Sequence, residues 1–266
     1  MQVCIALIQL DVSSHETLDA RKRRVLELID EAALQADVVV LPELWHVGAF
    51  DFIAAQEHAE LIDGELVRVM REAAIKNGIW LHAGSFSERT EQAELFNTSV
   101  LFDPNGELVA SYRKIHLFGF HEGEAEVFSY GSEIQVADTI LGETALATCY
   151  DLRFPELFRA FTERGATCVV IASGWPAPRI SAWDVLLRAR AIENQSWVLA
   201  CNAVGTQGEV VLGGHSQIVN PLGEVVADAG ESECILYATI DPDLPEKVHE
   251  DFPVLKDIRI RGSFIS

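Results

Sequence analysis

Residues 144–165 read Thr-Ala-Leu-Ala-Thr-Cys-Tyr-Asp-Leu-Arg-Phe-Pro-Glu-Leu-Phe-Arg-Ala-Phe-Thr-Glu-Arg-Gly. The run 144–148 predicts a short buried strand that ends at Cys149, and Pro155 fits the first position of a helix that Gly165 closes. The chain therefore passes from strand to helix at a cysteine. A thiol at such a turn can be exposed at the edge of a sheet, where nearby backbone N–H groups favour a thiolate and an adjacent oxyanion.

Further strands and helices alternate on both sides of this segment. An amphipathic helix is predicted through residues 18–32, and Ser13 with Glu16 predicts a capping box at its start. Residues 116–131 have no period and predict a long surface loop. Other strands are predicted at 3–10, 37–43, 79–85, 97–102, 107–113, 168–172, 197–203, 215–219, 224–227 and 234–240, and other helices at 65–76 and 181–195.

Two segments of the chain resemble each other. Residues 103–110 read Asp-Pro-Asn-Gly-Glu-Leu-Val-Ala and residues 220–227 read Asn-Pro-Leu-Gly-Glu-Val-Val-Ala, and both predict a strand, a turn and a strand. Either a common hairpin turn occurs twice by chance, or the chain has two similar halves. Helices among buried strands, with hairpins inserted, predict a mixed sheet layered by helices in an α/β protein. No linker interrupts the pattern, so residues 1–266 are interpreted as a single domain.

Composition and charge exclude several classes of protein. The 266 residues are 49% hydrophobic and carry a net charge of −21, which would repel a phosphate backbone or an anionic bilayer, so neither nucleic acid nor membrane is expected as a partner. No apolar run reaches the length of a membrane span, and the N-terminus lacks the pattern of a signal peptide. Five cysteines without a Cys-x-x-Cys pair favour a cytoplasmic protein and argue against a disulfide framework or a zinc site.

A cysteine nucleophile at position 149 needs a base and a group that stabilises negative charge. Glu43 ends a hydrophobic strand in Leu-Pro-Glu, where its carboxylate can transfer a proton. Lys114 closes another strand in Tyr-Arg-Lys-Ile-His, and its ammonium can stabilise an oxyanion. A papain-like pair of cysteine and histidine is the alternative, since eight histidines are present, although none of them lies in a segment like the signatures of those proteases.

Together, the three segments around Glu43, Lys114 and Cys149 resemble the nitrilase superfamily of carbon–nitrogen hydrolases, in which they occur in this order. Residues 183–194 and 214–223 resemble two further segments of that family, and the resemblance runs essentially from end to end. It implies a four-layer αββα sandwich with two similar mixed sheets, whose internal pseudo-symmetry fits the two similar hairpins. It also implies a homodimer formed through helices.

The resemblance implies a role for each of these groups. Glu43 takes the thiol proton as Cys149 attacks the carbonyl carbon of an amide. Lys114 and the backbone N–H of Tyr150 hold the oxyanion, ammonia leaves, and water hydrolyses the thioester that remains. No metal and no organic cofactor is required.

The resemblance also places a second glutamate in the loop after the lysine. Residues 128–131, Phe-Ser-Tyr-Gly, are similar to the family's aromatic-x-x-Gly element, and the spacing falls on Glu124, with Glu122 and Glu126 in the same loop.

The aromatic side chain of Trp175 would restrict the acyl group of the substrate to a small one. Candidates for lining the substrate pocket are Trp45, Phe120, Arg153, Trp175 and Arg179, the last of which could meet a substrate carboxylate.

The expected activity is hydrolysis of a small linear amide with release of ammonia. The motifs are most similar to the omega-amidase branch, which deaminates amides of short dicarboxylic acids. An N-carbamoyl-amine hydrolase or a nitrilase would use the same residues, because substrate choice depends on loops. A binding or scaffold protein whose chemistry is idle is the alternative from another class.

Overall fold

The computed structural model describes residues 1–13, 16–119 and 123–260. Its strands are β1 (Val3–Gln9), β2 (Val38–Val40), β3 (Trp80–Arg89), β4 (Leu95–Phe102), β5 (Leu108–Arg113), β6 (Val136–Thr139), β7 (Gly142–Thr148), β8 (Cys168–Ser173), β9 (Trp197–Asn202), β10 (Val204–Gln207), β11 (Val210–Gly213), β12 (Gln217–Val219), β13 (Val225–Asp228) and β14 (Cys234–Ile240). Its α-helices are α1 (Leu18–Ala32), α2 (Phe52–Glu57), α3 (Glu65–Asn77), α4 (Glu124–Val127), α5 (Pro155–Glu163), α6 (Ile180–Asn194) and α7 (Leu244–Asp251). None of the helices in these ranges is long and apolar enough to cross a membrane.

The two six-stranded sheets have the same arrangement of strand directions. The first has the order β14-β1-β2-β3-β4-β5, and the second has the order β6-β7-β8-β9-β12-β13. In each sheet three central strands are parallel, while one edge strand and a terminal hairpin run antiparallel. Helices α1 and α3 connect the parallel strands of the first sheet, and α5 and α6 connect those of the second, as parallel pairing requires. The prediction of two similar mixed sheets is confirmed.

The two similar sequence segments form equivalent hairpin turns at the ends of these sheets. Asp103 Oδ1 accepts the N–H groups two and four residues further on, at 2.9 and 2.7 Å. Asn220 Oδ1 accepts the corresponding two N–H groups, each at 3.0 Å. Each turn leads to the last strand of its sheet. The repeated sequence therefore marks equivalent positions in two halves.

Helices cover the outer faces of both sheets, which gives four layers in the order αββα. Because alternate residues of a strand face opposite sides, Ile5 and Leu7 of β1 lie in the core between the sheets, whereas Ala6 and Ile8 lie in the core under the helices. Apolar side chains from the helices complete the two outer cores, Val25, Ile29, Leu66 and Met70 on the first sheet and Phe158, Phe161, Trp183 and Leu187 on the second.

The start of α1 differs from its prediction. Thr17 is the N-cap residue, and its hydroxyl accepts the N–H of Ala20 at 3.3 Å. The Glu16 carboxylate instead accepts two bonds from the guanidinium of Arg24, at 3.0 and 2.6 Å. These bonds join opposite charges and are stronger than a bond to a helix amide. The predicted capping box of Ser13 and Glu16 is therefore wrong.

Sequence patterns also missed several short elements. The predicted loop 116–131 contains the single turn of α4, which begins at Glu124. Helices α2 and α7, the edge strand β6 and the hairpin of β10 and β11 were not predicted. Each is short, and a short element carries too few residues to establish a period.

Candidate active site

A cavity opens beyond the carboxyl ends of β2, β7 and β8. Its lining includes Glu43, Lys114, Glu124 and Cys149. The sequence positions of these four residues are far apart, and the parallel strands bring their segments to one edge of the sandwich, where open α/β sheets commonly bind ligands. The structure thus brings together the four residues that the motifs singled out.

Cys149 begins a 3₁₀ turn directly after β7 and adopts the left-handed backbone conformation, with a φ of 46°. Such a conformation costs free energy for a residue with a side chain, and residues of this kind cluster at functional sites. The neighbouring N–H of Thr148 donates to Asp151 Oδ2 at 3.0 Å and braces the turn. The thiol lines the cavity although Cys149 is only 8% exposed. Cys168 and Cys201, by contrast, are fully buried strand residues.

Glu43 and Lys114 form an ion pair at the base of the cavity. Lys114 Nζ donates to Glu43 Oε1 at 2.7 Å, and the backbone N–H of Gly174 donates to Glu43 Oε2 at 2.9 Å. Glu43 is 2% exposed and Lys114 is 1% exposed. Because both charges are withheld from water, the pair holds each partner in a fixed geometry.

Glu124 lies on the other side of the lysine. Its Oε2 accepts a hydrogen bond from Lys114 Nζ at 2.7 Å and another from the backbone N–H of Phe118 at 2.6 Å. Glu124 is buried, whereas Glu126 is exposed, and Glu122 lies outside the described residues. Of the glutamates in this loop that the structure describes, Glu124 is the one that reaches the lysine.

Burial and neighbouring charges set the protonation of these groups. Burial opposes the charge of Lys114, but the carboxylates of Glu124 and Glu43 outweigh it and hold the pKa of the ammonium well above its usual value. Burial raises the pKa of Glu124, and the Lys114 charge opposes that rise. Burial also raises the pKa of the Cys149 thiol, with a further contribution from Glu43. The resting site therefore contains a thiol and a permanent ammonium.

Two arginines and several aromatic rings form the walls of the cavity. The Arg153 guanidinium stacks over the ring of Trp175, 4.7 Å from its centroid, and the Arg179 guanidinium lies 5.5 Å from the centroid of Phe118. The Trp175 indole N–H donates to the backbone carbonyl of Arg179 at 2.8 Å. Within the described ranges, neither arginine lies within 4 Å of a carboxylate, so both positive charges remain available at the cavity.

One of the predicted pocket residues lies away from the cavity, and another is outside the described residues. Trp45 is 1% exposed and packs in the core of the first sheet, with its indole N–H bonded to the carbonyl of Ala83 at 2.9 Å. The left-handed conformation of Leu44, with a φ of 42°, turns the chain immediately after Glu43, and the prediction for Trp45 is wrong. Phe120 lies outside the described residues.

Other lining residues were missed by the sequence reasoning. Ala49, Phe50, Phe118 and Pro176 all contribute to the cavity wall. Each lies within seven residues of a motif residue or a predicted lining residue, so proximity to the motifs was the available signal. Apolar residues in such segments cannot be distinguished from core residues by sequence pattern alone.

No histidine lines the cavity in the part of the chain that the structure describes. His116, close to Lys114 in sequence, is bonded through Nδ1 to Asp151 at 2.8 Å and stacks on Phe154 with 3.7 Å between the ring centroids. The pair of cysteine and histidine that a papain-like protease requires is therefore not formed by these residues. Across the same ranges, no three His, Cys, Asp or Glu side chains are grouped so that they could hold a metal ion.

The chain is similar to known proteins in both sequence and fold. The carbon-nitrogen hydrolase family matches residues 4–249. The chain is 42% identical to a 2-oxoglutaramate amidase of Paenarthrobacter nicotinovorans, over 97% of this chain and 90% of that protein, and 36% identical to the human omega-amidase NIT2, over 96% and 94%. Saccharomyces cerevisiae Nit3, a member of branch 10 of the nitrilase superfamily, superimposes with a TM-score of 0.88 at 31% identity and with 97% of each chain covered.

Proposed function

The chain belongs to the carbon–nitrogen hydrolase family, whose members cleave carbon–nitrogen bonds other than peptide bonds, and on that basis we propose that it is an omega-amidase. Its substrate is then a short dicarboxylic acid that carries one terminal amide, and its products are the dicarboxylate and ammonia. The relatives named 2-oxoglutaramate amidase and omega-amidase support this class of substrate.

The observation that carries the proposal is the combination of the Cys149 site with two arginines in one cavity, neither of which has a carboxylate partner among the described residues. Arg153 and Arg179 contribute positive charge at the wall of the cavity, in a protein whose net charge is −21. Guanidinium groups bind carboxylates through paired hydrogen bonds. A substrate with an amide at one end and a carboxylate at the other matches both parts of the cavity.

The first half-reaction acylates the cysteine. Because burial raises the pKa of the Cys149 thiol, the sulfur needs a base at the moment of attack, and Glu43 takes its proton. The sulfur bonds to the amide carbon while the carbonyl electron pair moves to oxygen. Lys114 holds this oxyanion together with the Tyr150 N–H, since two of its three ammonium protons bind glutamates and the third has no acceptor among the described residues.

Collapse of the tetrahedral intermediate breaks the carbon–nitrogen bond. Protonated Glu43 donates its proton to the departing nitrogen, and ammonia leaves a thioester on Cys149. In the second half-reaction Glu43 takes a proton from a water molecule, and the resulting hydroxide attacks the thioester. Glu124 helps to position that water. The thiolate that is expelled recovers the proton from Glu43, which restores the resting site.

The remaining parts of the proposal concern the state of the protein. We propose one catalytic domain that forms a homodimer in the cytoplasm and acts on a small molecule rather than on nucleic acid or membrane. The dimer is supported by an exposed apolar strip on α6, where Val185 is 63% exposed and Ile192 is 50% exposed. The two residues are seven positions apart and lie on the same face of the helix.

A comparison of matched amides tests the proposed function. Ammonia release is measured with 2-oxoglutaramate, with succinamate and with butyramide, which replaces the carboxylate of succinamate by a methyl group. We expect kcat/KM for succinamate to exceed that for butyramide by about 10-fold or more, because a hydrogen-bonded charge contributes about 1.5–3 kcal/mol. Equal rates for succinamate and butyramide would contradict recognition of a carboxylate.

The same assay includes an N-carbamoyl amine and an aliphatic nitrile. Preferred turnover of either would assign the site to the corresponding activity, since the Glu43, Lys114 and Cys149 chemistry is shared. Absence of turnover for all substrates, with Cys149 no more reactive toward iodoacetamide than the buried Cys168, would support an idle scaffold instead.

A further inference from the structure

A carboxamide lies between the two glutamates of the site. Asn97 Nδ2 donates to Glu43 Oε1 at 2.8 Å and to Glu124 Oε1 at 3.0 Å. Asn97 belongs to β4 and is fully buried. Both N–H groups of the amide are therefore used, and each one is directed to a different carboxylate.

The other half of this amide fixes its orientation. Asn97 Oδ1 is buried and has no hydrogen-bond partner in the described residues. Rotating the amide by half a turn would place this oxygen against two carboxylates, where acceptor would face acceptor. In the observed orientation both glutamates receive a donor, although this leaves the buried acceptor Oδ1 unpaired, which is unfavourable.

The amide and the lysine close a ring of four groups. Lys114 Nζ bonds Glu43 Oε1 and Glu124 Oε2, and Asn97 Nδ2 bonds both glutamates from another direction. Oε1 of Glu43 thus accepts two donors, whereas within the described part of the chain Oε2 accepts only the N–H of Gly174. A lone pair on Oε2 remains for a proton.

We propose that Asn97 is a positioning residue that directs the general base of the reaction. It acts through Glu43 and Glu124, which it holds at a fixed separation as hydrogen-bond acceptors. Because Asn97 and Lys114 together occupy Oε1, the thiol proton of Cys149 moves to Oε2 of Glu43. This inference rests on the proposed function, in which Glu43 is the base.

Removing the Asn97 amide is expected to change the pH dependence of catalysis, which a loss of packing alone would not do. Asn97 contacts the carboxylates of Glu43 and Glu124. The charge of Lys114 and the thiol of Cys149 interact with these two glutamates in turn. A hydrogen-bond donor favours the ionised form of a carboxylate, so its loss makes protonation of the glutamates easier. The acid limb of the pH profile then moves to higher pH, since catalysis requires an ionised base.

Two substitutions of Asn97 separate its hydrogen bonds from its volume. Asn97→Leu keeps much of the volume and removes both donors, and we expect kcat to fall about 100-fold while the acid limb of kcat/KM rises by about one pH unit. Asn97→Asp offers one O–H donor, and only while it is protonated. We expect its residual activity to decline as the pH rises, because ionisation would place a third carboxylate beside the two glutamates.

The neighbouring Thr98 provides a matched control. Its hydroxyl donates to the buried carboxylate of Glu88 at 2.6 Å, outside the cavity lining. Thr98→Val therefore removes one hydrogen bond from β4 to a buried carboxylate without touching the site. We expect it to lower the melting temperature while kcat and the pH profile of kcat/KM remain unchanged.

The experiment measures succinamate hydrolysis from acid to alkaline pH, and alkylation of Cys149 by iodoacetamide over the same range. Alkylation needs no amide substrate, so it reports on Asn97 even if no amide is hydrolysed. Absence of amide hydrolysis would refute the proposed function but would leave the role of Asn97 open to this second measurement. A folded Asn97→Leu variant whose alkylation and turnover keep the pH profile of the unmodified protein would overturn the proposal. Retention of kcat within about threefold of the unmodified protein, in either Asn97→Leu or Asn97→Asp, would also overturn the proposal.

Discussion

The Tyr112 hydroxyl donates to Asp151 Oδ2 over 2.7 Å, and this bond joins the strand that leads to Lys114 to the turn that begins at Cys149. Asp151 is fully buried and also accepts two backbone N–H groups, each at 3.0 Å. The nucleophile and the cation come from opposite sheets. A buried carboxylate between their segments fixes the distance between them.

Tyr112→Phe removes one donor from this carboxylate without changing the ring. We expect the free energy of unfolding to fall by about 1–3 kcal/mol, because a buried charge loses a hydrogen bond. We also expect kcat to fall, since Lys114 and Cys149 lose a common support. Urea denaturation and steady-state kinetics measure the two effects. Tyr237→Phe is the control, because Tyr237 is half-buried on β14 and does not line the cavity, and equal losses in both variants would argue against the bridge.

The protonation of Cys149 gives a spectroscopic prediction. Burial raises the pKa of this thiol, and the nearby Lys114 charge only partly opposes the rise. We therefore expect no thiolate absorbance at 240 nm from Cys149 between about pH 6 and pH 8. The signal is the difference between the protein and its Cys149→Ala variant. An absorbance step in that range would indicate a preformed thiolate and would remove the need for Glu43 as a base in the first step.

The predicted site residues that the structure places at the cavity share one property. Glu43 and Cys149 each follow a strongly apolar strand, and Lys114 follows a strand that begins in a recognisable turn. A polar residue at the end of an apolar run is a local signal. The strands and helices were predictable for the same reason, because apolar periods and turns are local, and the repeated hairpin was visible as a repeated sequence. The four layers and the second sheet were predicted from the family resemblance and not from these patterns.

The residues that were missed depend on contacts between distant segments. Asn97 opens a predicted strand as one polar residue among several, and nothing nearby in sequence indicates that it meets Glu43 and Glu124. Trp45 was misassigned because the turn at Leu44 decides which side of the sheet its ring occupies. Such placements arise from tertiary packing, which single-sequence patterns do not contain.

The arginines of the cavity wall give a prediction about substrate charge. Arg153→Met and Arg179→Met each remove a guanidinium while keeping a flexible apolar chain. We expect KM for succinamate to rise about 10- to 100-fold, the equivalent of about 1.5–3 kcal/mol for a lost charged hydrogen bond. Kinetics with butyramide should not change. Arg68→Met, an exposed substitution on α3, controls for the loss of one positive charge, and a similar increase there would point to long-range electrostatics instead.

Two buried histidines predict how stability depends on pH. Burial lowers the pKa of His46 to about 3 and that of His82 to about 4, whereas an imidazole in the unfolded chain titrates near 6.5. Between these values the unfolded state binds more protons, so the free energy of unfolding falls as the pH decreases below about 6.5. Each histidine contributes at most about 1.4 kcal/mol per pH unit.

Urea denaturation of His82→Leu tests this dependence. We expect the free energy of unfolding to fall less between pH 7.5 and pH 5.0 than it does in the unmodified protein. The difference is up to about 2 kcal/mol, because one histidine contributes over the roughly 1.5 pH units below its unfolded pKa. His58→Gln changes an exposed histidine and should retain the full loss. An identical loss of stability in His82→Leu and the unmodified protein would show that His82 is not the source.

The exposed face of α6 gives a prediction about assembly. Val185 and Ile192 lie on one side of this helix, and charges introduced there would be buried without partners in a helix-paired dimer. We expect Val185→Glu combined with Ile192→Glu to halve the mass measured by light scattering. Leu34→Glu is the matched control, because Leu34 is 83% exposed after α1 and lies away from α6. A monomeric mass for the unmodified protein, or dissociation by Leu34→Glu alone, would refute pairing through α6.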